Sequence, residues 1–384
     1  MPRRRNRKTY RFPWRGGNRF ELLSDGNTYL PRMLAAIGAA REFVLLEMYL
    51  IKSGDVTTRF IDALLAAAAR GARVRLLLDD YGARGLKHSD RQRLQESTVR
   101  LAWYNPLQYR KRARNLYRDH RKLLLADAEV AFIGGAGLTD EFDPGLQRGM
   151  YWHDVMLQIE GPVLQDWAAL FLETWHTCAD DDRAFESVLP AARGDGQQGR
   201  IALAAGPHAH EINRSVVKRI RTAEHRIWIV TPYFLTTWKI RRALRRAARN
   251  GIDTRLLLPG PYSDHPWVSH AARGVYRRLL RNGVRIFEYQ PRFIHAKVVL
   301  CDQWVSLGSS NLDRWDQHWN LDANQEVDDQ RFAHSVERLF SADFALSDEI
   351  DYASWRRRPW QQRVRERLAG LLVLWLQRLS RWWG

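Results

Sequence analysis

Two short segments of the chain pair a histidine with a lysine two residues later. Residues 120–127 read His-Arg-Lys-Leu-Leu-Leu-Ala-Asp, and residues 295–302 read His-Ala-Lys-Val-Val-Leu-Cys-Asp. Residues two apart in a strand point to the same face, so each imidazole would share a face with an ammonium group. An imidazole can act as a nucleophile or exchange a proton near neutral pH, and an ammonium group can stabilise an anionic oxygen. One such triplet arises by chance in a basic chain, but two copies with the same continuation predict a functional site.

Each segment supplies three candidate catalytic residues. They are His120, Lys122 and Asp127 in the first copy and His295, Lys297 and Asp302 in the second. The two aspartates lie five residues beyond their lysines and therefore face the opposite side of a regular strand. For both aspartates, stabilisation of a turn is favoured over a catalytic role.

A turn of small residues follows each segment. Residues 134–137 read Gly-Gly-Ala-Gly, and residues 308–311 read Gly-Ser-Ser-Asn. Backbone N–H groups, hydroxyls and a carboxamide can all donate hydrogen bonds to phosphoryl oxygens. The candidate phosphate-binding residues are Gly135, Ser309, Ser310 and Asn311. Because the first turn has glycine where the second has Asn311, the two turns are expected to hold a phosphate asymmetrically.

The sequence around these segments repeats in the same order. The predicted elements are a buried strand (41–50 and 225–234), a helix (63–70 and 243–250), a second strand (74–78 and 254–258) and a third shared stretch (99–106 and 284–291). Gly71 and Gly251 follow the two helices and are typical helix stops. The alternation of strands and helices predicts two copies of one α/β unit, each a mixed β-sheet flanked by helices.

The repeat divides the chain into five predicted regions. Residues 193–199 have the composition of a linker and suggest where the two copies meet. The predicted regions are a basic N-terminal arm (1–19), a first domain (20–190), a linker (191–199), a second domain (200–350) and a basic tail (351–384).

Composition restricts the classes of protein that the chain can represent. It has 384 residues, 45% of them hydrophobic, which is typical of a globular protein with more than one core. Two cysteines exclude a disulfide scaffold and a cysteine-rich zinc module. The basic start lacks the apolar stretch of a signal peptide, and no apolar run approaches the about 18–20 residues that span a bilayer. A net charge of +18 predicts a polyanionic partner, either nucleic acid or an anionic membrane.

The two H-x-K-x4-D segments resemble the double HKD signature of the phospholipase D superfamily, over roughly residues 20–345. Within it, the pattern is similar to that of bacterial cardiolipin synthases. The matching stretches are Gly-Ser-Ser-Asn-Leu-Asp (308–313), Asn-Leu-Asp-Ala-Asn-Gln-Glu (320–326), Trp-His-Asp (152–154) and Gly-Pro (161–162). The resemblance implies two pseudo-symmetric phospholipase D-type domains that face each other and form one active site, with no metal and no cofactor.

The resemblance also implies roles for individual residues. His120 would attack phosphorus and form a covalent phosphohistidine, and His295 would act as acid and then base. The sequence itself is symmetric and leaves these roles open to reversal. Carboxylates that orient the imidazoles are expected at Asp154, 34 residues after His120, and at Glu326, 31 residues after His295.

The implied activity is transfer of a phosphatidyl group to phosphatidylglycerol, which yields cardiolipin. The donor is left open between phosphatidylglycerol and phosphatidylethanolamine. The alternatives are a hydrolytic phospholipase D and, less favoured, a metal-independent phosphodiesterase or nuclease; a catalytically inactive lipid-binding protein is a minor third class. The implied partner is an anionic phospholipid membrane, with no obligate protein partner and nucleic acid disfavoured. The implied location is peripheral, on the cytoplasmic face of the bacterial inner membrane.

Two basic segments favour this membrane partner. Residues 355–384 place tryptophan, leucine and valine three or four apart on one face and arginines largely off it, which predicts a C-terminal amphipathic helix lying in the membrane interface. Docking of that helix on the protein body is the alternative. The insert 107–119, which precedes the first histidine, holds five basic residues that could attract anionic head groups or form a solvated loop.

Overall fold

A computed structural model describes residues 10–147, 149–179, 196–205, 209–313, 319–361 and 364. Its strands are β1 (Arg15–Ser24), β2 (Phe43–Met48), β3 (Arg73–Asp79), β4 (Arg100–Tyr104), β5 (Arg118–Asp119), β6 (Lys122–Ala126), β7 (Val130–Gly134), β8 (Val155–Glu160), β9 (Gln197–Ala205), β10 (Ala209–His210), β11 (Arg226–Val230), β12 (Asp253–Pro259), β13 (Arg285–Tyr289), β14 (Val298–Cys301), β15 (Trp304–Gly308), β16 (Asn320–Asp328) and β17 (Ser347–Glu349).

The helices lie between these strands. They are α1 (Gly26–Ala39), α2 (Asp55–Ala69), α3 (His88–Gln95), α4 (Leu164–Cys178), α5 (Glu211–Thr222), α6 (Trp238–Arg249), α7 (Pro266–Arg273), α8 (Tyr276–Leu280), α9 (Gln330–Ala345) and α10 (Tyr352–Arg356), with 3₁₀ segments at Tyr109–Leu116 and Asp140–Phe142. Among the helices that the structure describes, none combines the length and the apolar character needed to cross a membrane.

The strands form two sheets with the same order. The first sheet runs β4-β3-β2-β6-β7-β8-β1, and the second runs β13-β12-β11-β14-β15-β16-β9. In each sheet the first three strands are parallel and the others antiparallel. β1 also pairs with β9, so the two sheets are joined edge to edge. This arrangement confirms the predicted duplicated α/β fold.

The sequence of each copy explains its local structure. β2 is buried along its whole length, as expected for a strand covered by helices on both faces. Gly71 and Gly251 have φ of +96° and +85°, a left-handed conformation that favours glycine, and each follows the end of its helix. The side chain of Thr237 caps α6 by accepting a hydrogen bond from the Ile240 N–H.

The structure moves three of the predicted boundaries. β1 begins at Arg15, inside the predicted N-terminal arm (1–19), because its backbone pairs with β8 and β9. β9 begins at Gln197, inside the predicted linker (191–199), of which residues 191–195 lie outside the described part of the chain. At the C-terminus, Trp355 is buried and stacks on Tyr276 with ring centroids 5.0 Å apart, so α10 packs on the second copy. The rest of the predicted amphipathic tail lies outside the described residues, except for 357–361 and 364.

Both histidine segments lie at one edge of their sheets. Lys122, the first residue of β6, is opposite Met48 at the carboxyl end of β2. Val298, the first residue of β14, is opposite Val230 at the carboxyl end of β11. We call the edge formed by the carboxyl ends of β2–β4 and β11–β13 the motif edge. The turns at the other ends of these strands form the opposite edge.

Candidate active site

The backbone of each motif histidine is hydrogen-bonded to the other half of the chain. The N–H of His120 donates to the carbonyl of Leu321, at 3.0 Å, and the N–H of His295 donates to the carbonyl of His153, at 2.7 Å. These two contacts are equivalent in the two copies. They bring segments from distant parts of the chain to one place, as the resemblance implied.

Each imidazole is oriented by a carboxylate from the opposite half. Nδ1 of His120 lies 3.0 Å from Oδ1 of Asp322, and Nδ1 of His295 lies 2.6 Å from Oδ2 of Asp154. An ionised carboxylate can only accept a hydrogen bond, so each Nδ1 carries the proton. The other ring nitrogen, Nε2, then keeps its lone pair for reaction with phosphorus or a proton.

Of the two carboxylates predicted from spacing, Asp154 orients a motif imidazole and Glu326 does not. Asp154 orients the histidine of the other copy, and Glu326 does not contact His295 at all. Glu326 is buried and accepts a hydrogen bond from Arg200 at 2.7 Å, so the prediction for Glu326 is wrong. Sequence distance from the histidine missed Asp322. A comparison of the two copies could have found it, because Asp154 directly precedes β8 and Asp322 lies at the start of the equivalent β16.

The two lysines take equivalent positions. Nζ of Lys122 donates to the carbonyl of His120 at 2.6 Å, and Nζ of Lys297 donates to the carbonyl of His295 at 2.5 Å. This contact holds each ammonium group against the backbone of its own motif histidine. Both lysines also act on the Asp322 carboxylate. Burial raises the pKa of Asp322 to about 6, and the two ammonium groups oppose that rise. Both motifs therefore contribute to one electrostatic centre.

The electrostatics of the second pair favour a neutral imidazole beside a charged carboxylate. Burial and then the nearby charge of Lys297 lower the pKa of His295, against the effect of Asp154. Burial opposes ionisation of Asp154, but Lys297 and the hydrogen bond from His295 together lower its pKa. Nζ of Lys297 lies 3.1 Å from both ring nitrogens of His295, so the ammonium group stands beside the imidazole.

The motif aspartates stabilise turns at the opposite edge. The carboxylate of Asp127 accepts hydrogen bonds from the backbone N–H groups of residues 41–43, at 2.6–2.9 Å. Asp302 accepts three equivalent bonds from residues 224–226. Both aspartates have positive φ, 51° and 53°, which aspartate tolerates better than most residues. They lie at the far ends of β6 and β14 from the imidazoles, so their place among the candidate catalytic residues is corrected to a structural role.

The small-residue turns also lie against the orienting carboxylates. The Ser309 hydroxyl donates to Asp322 at 2.6 Å, so it contacts the carboxylate that orients His120. Gly135 is the equivalent residue, and a Cβ there would lie 2.5 Å from Asp154. Ser310 donates its N–H to the Asn324 side chain at 3.2 Å. Asn311 is buried, and its carbonyl accepts a hydrogen bond from Thr231 at 2.8 Å.

Aromatic rings surround the two imidazoles unequally. The ring of His295 lies among Trp152, Phe293 and Phe142, with centroids 5.3, 5.7 and 5.8 Å away. His120 meets Tyr49, whose ring lies 4.8 Å away at a T-shaped angle. The apolar wall around His295 accounts for the burial that lowers its pKa.

A buried ionic cluster fixes the segment around Asp154, which directly precedes β8. Nδ1 of His153 lies 2.6 Å from Asp25, and its Nε2 lies 3.1 Å from Asp343. Despite burial, hydrogen bonds to these two carboxylates raise the pKa of His153 to about 10, so it is an imidazolium at neutral pH. Its carbonyl accepts the bond from the His295 N–H. The cluster thus fixes both members of the Asp154–His295 pair, and sequence reasoning did not detect it.

A second buried cluster holds the segment of His120. The side chain of Arg121 faces away from the imidazole and contacts Glu47 and Asp119, each at 2.9 Å. Asp79 accepts a hydrogen bond from the Asp119 N–H at 2.9 Å. Burial raises the pKa of Asp79 to about 6 in spite of the nearby charge of Arg118. The second copy has Ala296 where the first has Arg121, so this support belongs to the first copy alone.

Comparison with known proteins agrees with this geometry. A family model described as "Cardiolipin synthase, PLD-like domain" matches residues 33–165 and 216–344, one match in each copy. The chain is 34% identical over 353 residues to "Cardiolipin synthase A" of Pseudomonas putida (strain W619), covering 89% of this chain and 72% of that protein. It is 31% identical over 374 residues to "Cardiolipin synthase B" of Escherichia coli (strain K12), covering 93% of this chain and 88% of that protein.

The fold has a counterpart among solved structures. The crystal structure of phosphatidylserine synthase from Haemophilus influenzae Rd KW20 matches with a TM-score of 0.72 and covers 94% of this chain and 93% of its own. At 14% identity that likeness supports the fold alone. Because the family model matches both copies, including both histidine segments, the chain belongs to the cardiolipin synthase family of phospholipase D-like proteins.

Proposed function

We propose that the protein is a cardiolipin synthase that transfers a phosphatidyl group from one phospholipid to phosphatidylglycerol. The observation that carries the proposal is the reciprocal arrangement of the site, in which each half of the chain supplies a histidine and the carboxylate that orients the other histidine. Two imidazoles whose Nδ1 atoms are held by carboxylates, together with two ammonium groups, match the needs of phosphodiester transfer. Family membership gives the substrate class.

In the proposed first step, Nε2 of His120 attacks phosphorus of the donor. The phosphorus–oxygen bond to the leaving alcohol breaks while His295 gives that alkoxide a proton. In the second step, His295 takes the proton from the hydroxyl of phosphatidylglycerol, and that oxygen attacks phosphorus as the bond to His120 breaks. Lys122 and Lys297 stabilise the negative charge on the phosphoryl oxygens in both steps.

The lowered pKa of His295 fits this cycle when substrate is considered. An anionic phosphodiester between the lysines offsets the charge of Lys297, which favours the protonated acid form of His295. Once the leaving alcohol has taken that proton, the neutral imidazole is ready to serve as base. Asp154 stabilises the imidazolium whenever it forms.

Product analysis tests the proposal. Purified full-length protein is incubated with radiolabelled phosphatidylglycerol vesicles, and the lipids are separated by thin-layer chromatography. Cardiolipin and free glycerol support the proposal, whereas phosphatidic acid as the main product identifies a hydrolytic phospholipase D. Addition of phosphatidylethanolamine settles the donor, since ethanolamine is released only if that lipid donates. Cleavage of DNA in the presence of chelator, without lipid products, would contradict the proposal.

Mapping the covalent intermediate tests the assignment of the two histidines. The reaction is quenched within the first turnover, and the labelled peptide is identified. Label on His120 supports its role as nucleophile. Label on His295 would reverse the two roles and leave the reaction class unchanged.

The same proposal includes the partner and the location. The partner is an anionic phospholipid membrane, to which the protein binds peripherally, and the location is the cytoplasmic face of the bacterial inner membrane. The net charge of +18 supports an anionic surface as partner. Fractionation of cells that express the protein, followed by release with high salt and protease protection of membrane vesicles, tests both statements.

A further inference from the structure

The exposed apolar side chains of the described residues are concentrated at the motif edge. In the first copy they follow β3, β4 and β7, all of which end there. They are Tyr81, Leu107, Tyr109, Leu146 and Met150. The side chain of Tyr109 is 99% exposed, although a tyrosine in a soluble protein usually buries much of its ring.

The second copy shows the same distribution. Its exposed apolar residues follow β11 and β12, or lie beside the carboxyl end of β13. They are Trp238, Tyr262, Trp267 and Leu346. We call these nine residues of the two copies the rim. The only other large apolar residues that are exposed in the described part of the chain are Trp360 and Val364, near its C-terminal end.

Loop position alone does not explain this distribution. Both edges consist of turns, yet the described turns of the opposite edge expose no large apolar side chain. They expose polar and charged residues such as Arg41, Glu42 and His225. The rim therefore distinguishes the edge that holds the active site from the opposite edge, which lacks it.

Positive charge is interleaved with the rim. The guanidinium of Arg84 lies 4.7 Å from the ring of Tyr81, and that of Arg242 lies 5.1 Å from the ring of Trp238. Each copy thus presents an exposed arginine beside an exposed aromatic ring.

We propose that the rim is a docking surface that seats on an anionic phospholipid bilayer, with the active site facing the lipid. Tryptophan and tyrosine favour the bilayer interface, and the arginines match the charge of lipid phosphates. Leucine and methionine in the rim can enter the acyl region but cannot stack on bases, which favours a bilayer over nucleic acid. The inference rests on the proposed function only for the identity of the substrate, since docking itself needs no turnover.

The experiment measures binding of the full-length protein to vesicles of phosphatidylglycerol and phosphatidylcholine by co-sedimentation. The His120→Ala/His295→Ala background removes turnover. In this background, Arg84→Ser/Arg242→Ser is expected to weaken binding roughly 25-fold, since each basic residue near the surface contributes about fivefold. The matched control Arg41→Ser/Arg221→Ser removes the same charge from exposed positions at the opposite edge and is expected to bind like its parent.

A second variant tests the aromatic part of the rim. Tyr109→Ser/Trp238→Ser/Trp267→Ser is expected to weaken binding at least roughly tenfold, and Tyr109→Phe/Trp238→Phe/Trp267→Phe to restore most of it. Thermal unfolding confirms that each variant is folded. The inference would be overturned if the rim and control charge variants bound vesicles equally. It would also be overturned if the rim variants lost binding to DNA but bound vesicles like their parent. Rim-dependent binding by a wild-type protein that makes no cardiolipin would overturn the proposed function and support the docking surface.

Discussion

Asp322 shows most clearly that distance along the sequence does not identify the carboxylate that contacts a histidine. It lies 3.0 Å from Nδ1 of His120 and also accepts a hydrogen bond from Ser309 at 2.6 Å, and it belongs to one of the stretches (320–326) that resemble cardiolipin synthases. Its neighbour on the same strand, Glu326, was the candidate from sequence distance but faces Arg200. Both are buried acids on β16, so the side chain that each one contacts decides its role.

Asp322 and Glu326 give two contrasting predictions for kcat and stability. Asp322→Asn is expected to lower kcat about 100-fold, because the amide can donate to Nδ1 and so favours the wrong tautomer of His120. The unfolding free energy should change little. Steady-state transfer assays and denaturant unfolding measure the two effects.

Glu326→Gln, the equivalent change four residues further along β16, should lower the stability and leave kcat largely unchanged. It removes the charge that compensates the buried Arg200, so we expect a loss of about 3 kcal/mol of stability with kcat within a few-fold of wild type. A large loss of kcat in this variant with unchanged stability would return Glu326 to the orienting role.

Sequence reasoning reached the histidines and lysines because their types and spacing recur. It found Asp154 but missed Asp322, and it could not match each carboxylate to its histidine, because each one reaches its histidine from the other half of the chain. The same reason hid His153, whose partners Asp25 and Asp343 lie far from it in sequence.

At the scale of elements, the His153 cluster ties together the starts of α1 and β8 and the end of α9. Asp25 also accepts a hydrogen bond from Tyr151 at 3.1 Å and lies 3.4 Å from Arg292, and Tyr289 stacks on the imidazolium. A histidine with a raised folded-state pKa contributes stability that is complete below the unfolded value of 6.5 and is lost as the pH rises to about 10. The contribution of this cluster therefore weakens through the mildly alkaline range.

The expected change is measurable. Between pH 7 and 8.5 the unfolded histidine is already largely neutral, whereas folded His153 keeps its proton, so the unfolding free energy should fall by about 2 kcal/mol. Denaturant unfolding at both pH values measures the change. His153→Gln should lose most of this slope, and exposed His334→Gln should retain it. A wild-type slope that survives in His153→Gln would show that another group titrates.

The element order was largely predictable from sequence, since apolar runs, helix stops and the repeat each leave a local pattern. The boundaries at Arg15 and Gln197 were not predictable in the same way. Both depend on pairing of β1 with β9, a contact across about 180 residues that no local composition records.

At the scale of the whole molecule, the folded body extends into the predicted tail. Trp355 packs on Tyr276, and the guanidinium of Arg358 lies 3.0 Å from the centre of the Trp355 ring. Removal of the chain from Tyr352 onward would therefore delete part of the second core. A shortened chain that tests the predicted membrane-binding tail must therefore retain α10 and end after it.

A chain that ends at Gln361 is expected to unfold like the full-length protein and to bind anionic vesicles more weakly, because it lacks most of the basic amphipathic segment. Calorimetry and co-sedimentation check the two outcomes. As a contrast, Trp355→Ala in the full-length chain should lose about 3 kcal/mol of stability. Unchanged vesicle binding by the shortened chain would refute the proposed role of the tail.

The central claim is that two imidazoles from distant parts of the chain form one catalytic centre for phosphatidyl transfer. Its most direct test compares cardiolipin formation from phosphatidylglycerol vesicles by His120→Ala, His295→Ala and the exposed control His334→Ala, with unfolding measured for each. The account predicts that each of the first two variants loses at least about 1,000-fold in rate while it remains folded, and that the control matches wild type. Formation of cardiolipin at near wild-type rate by either motif variant would contradict it.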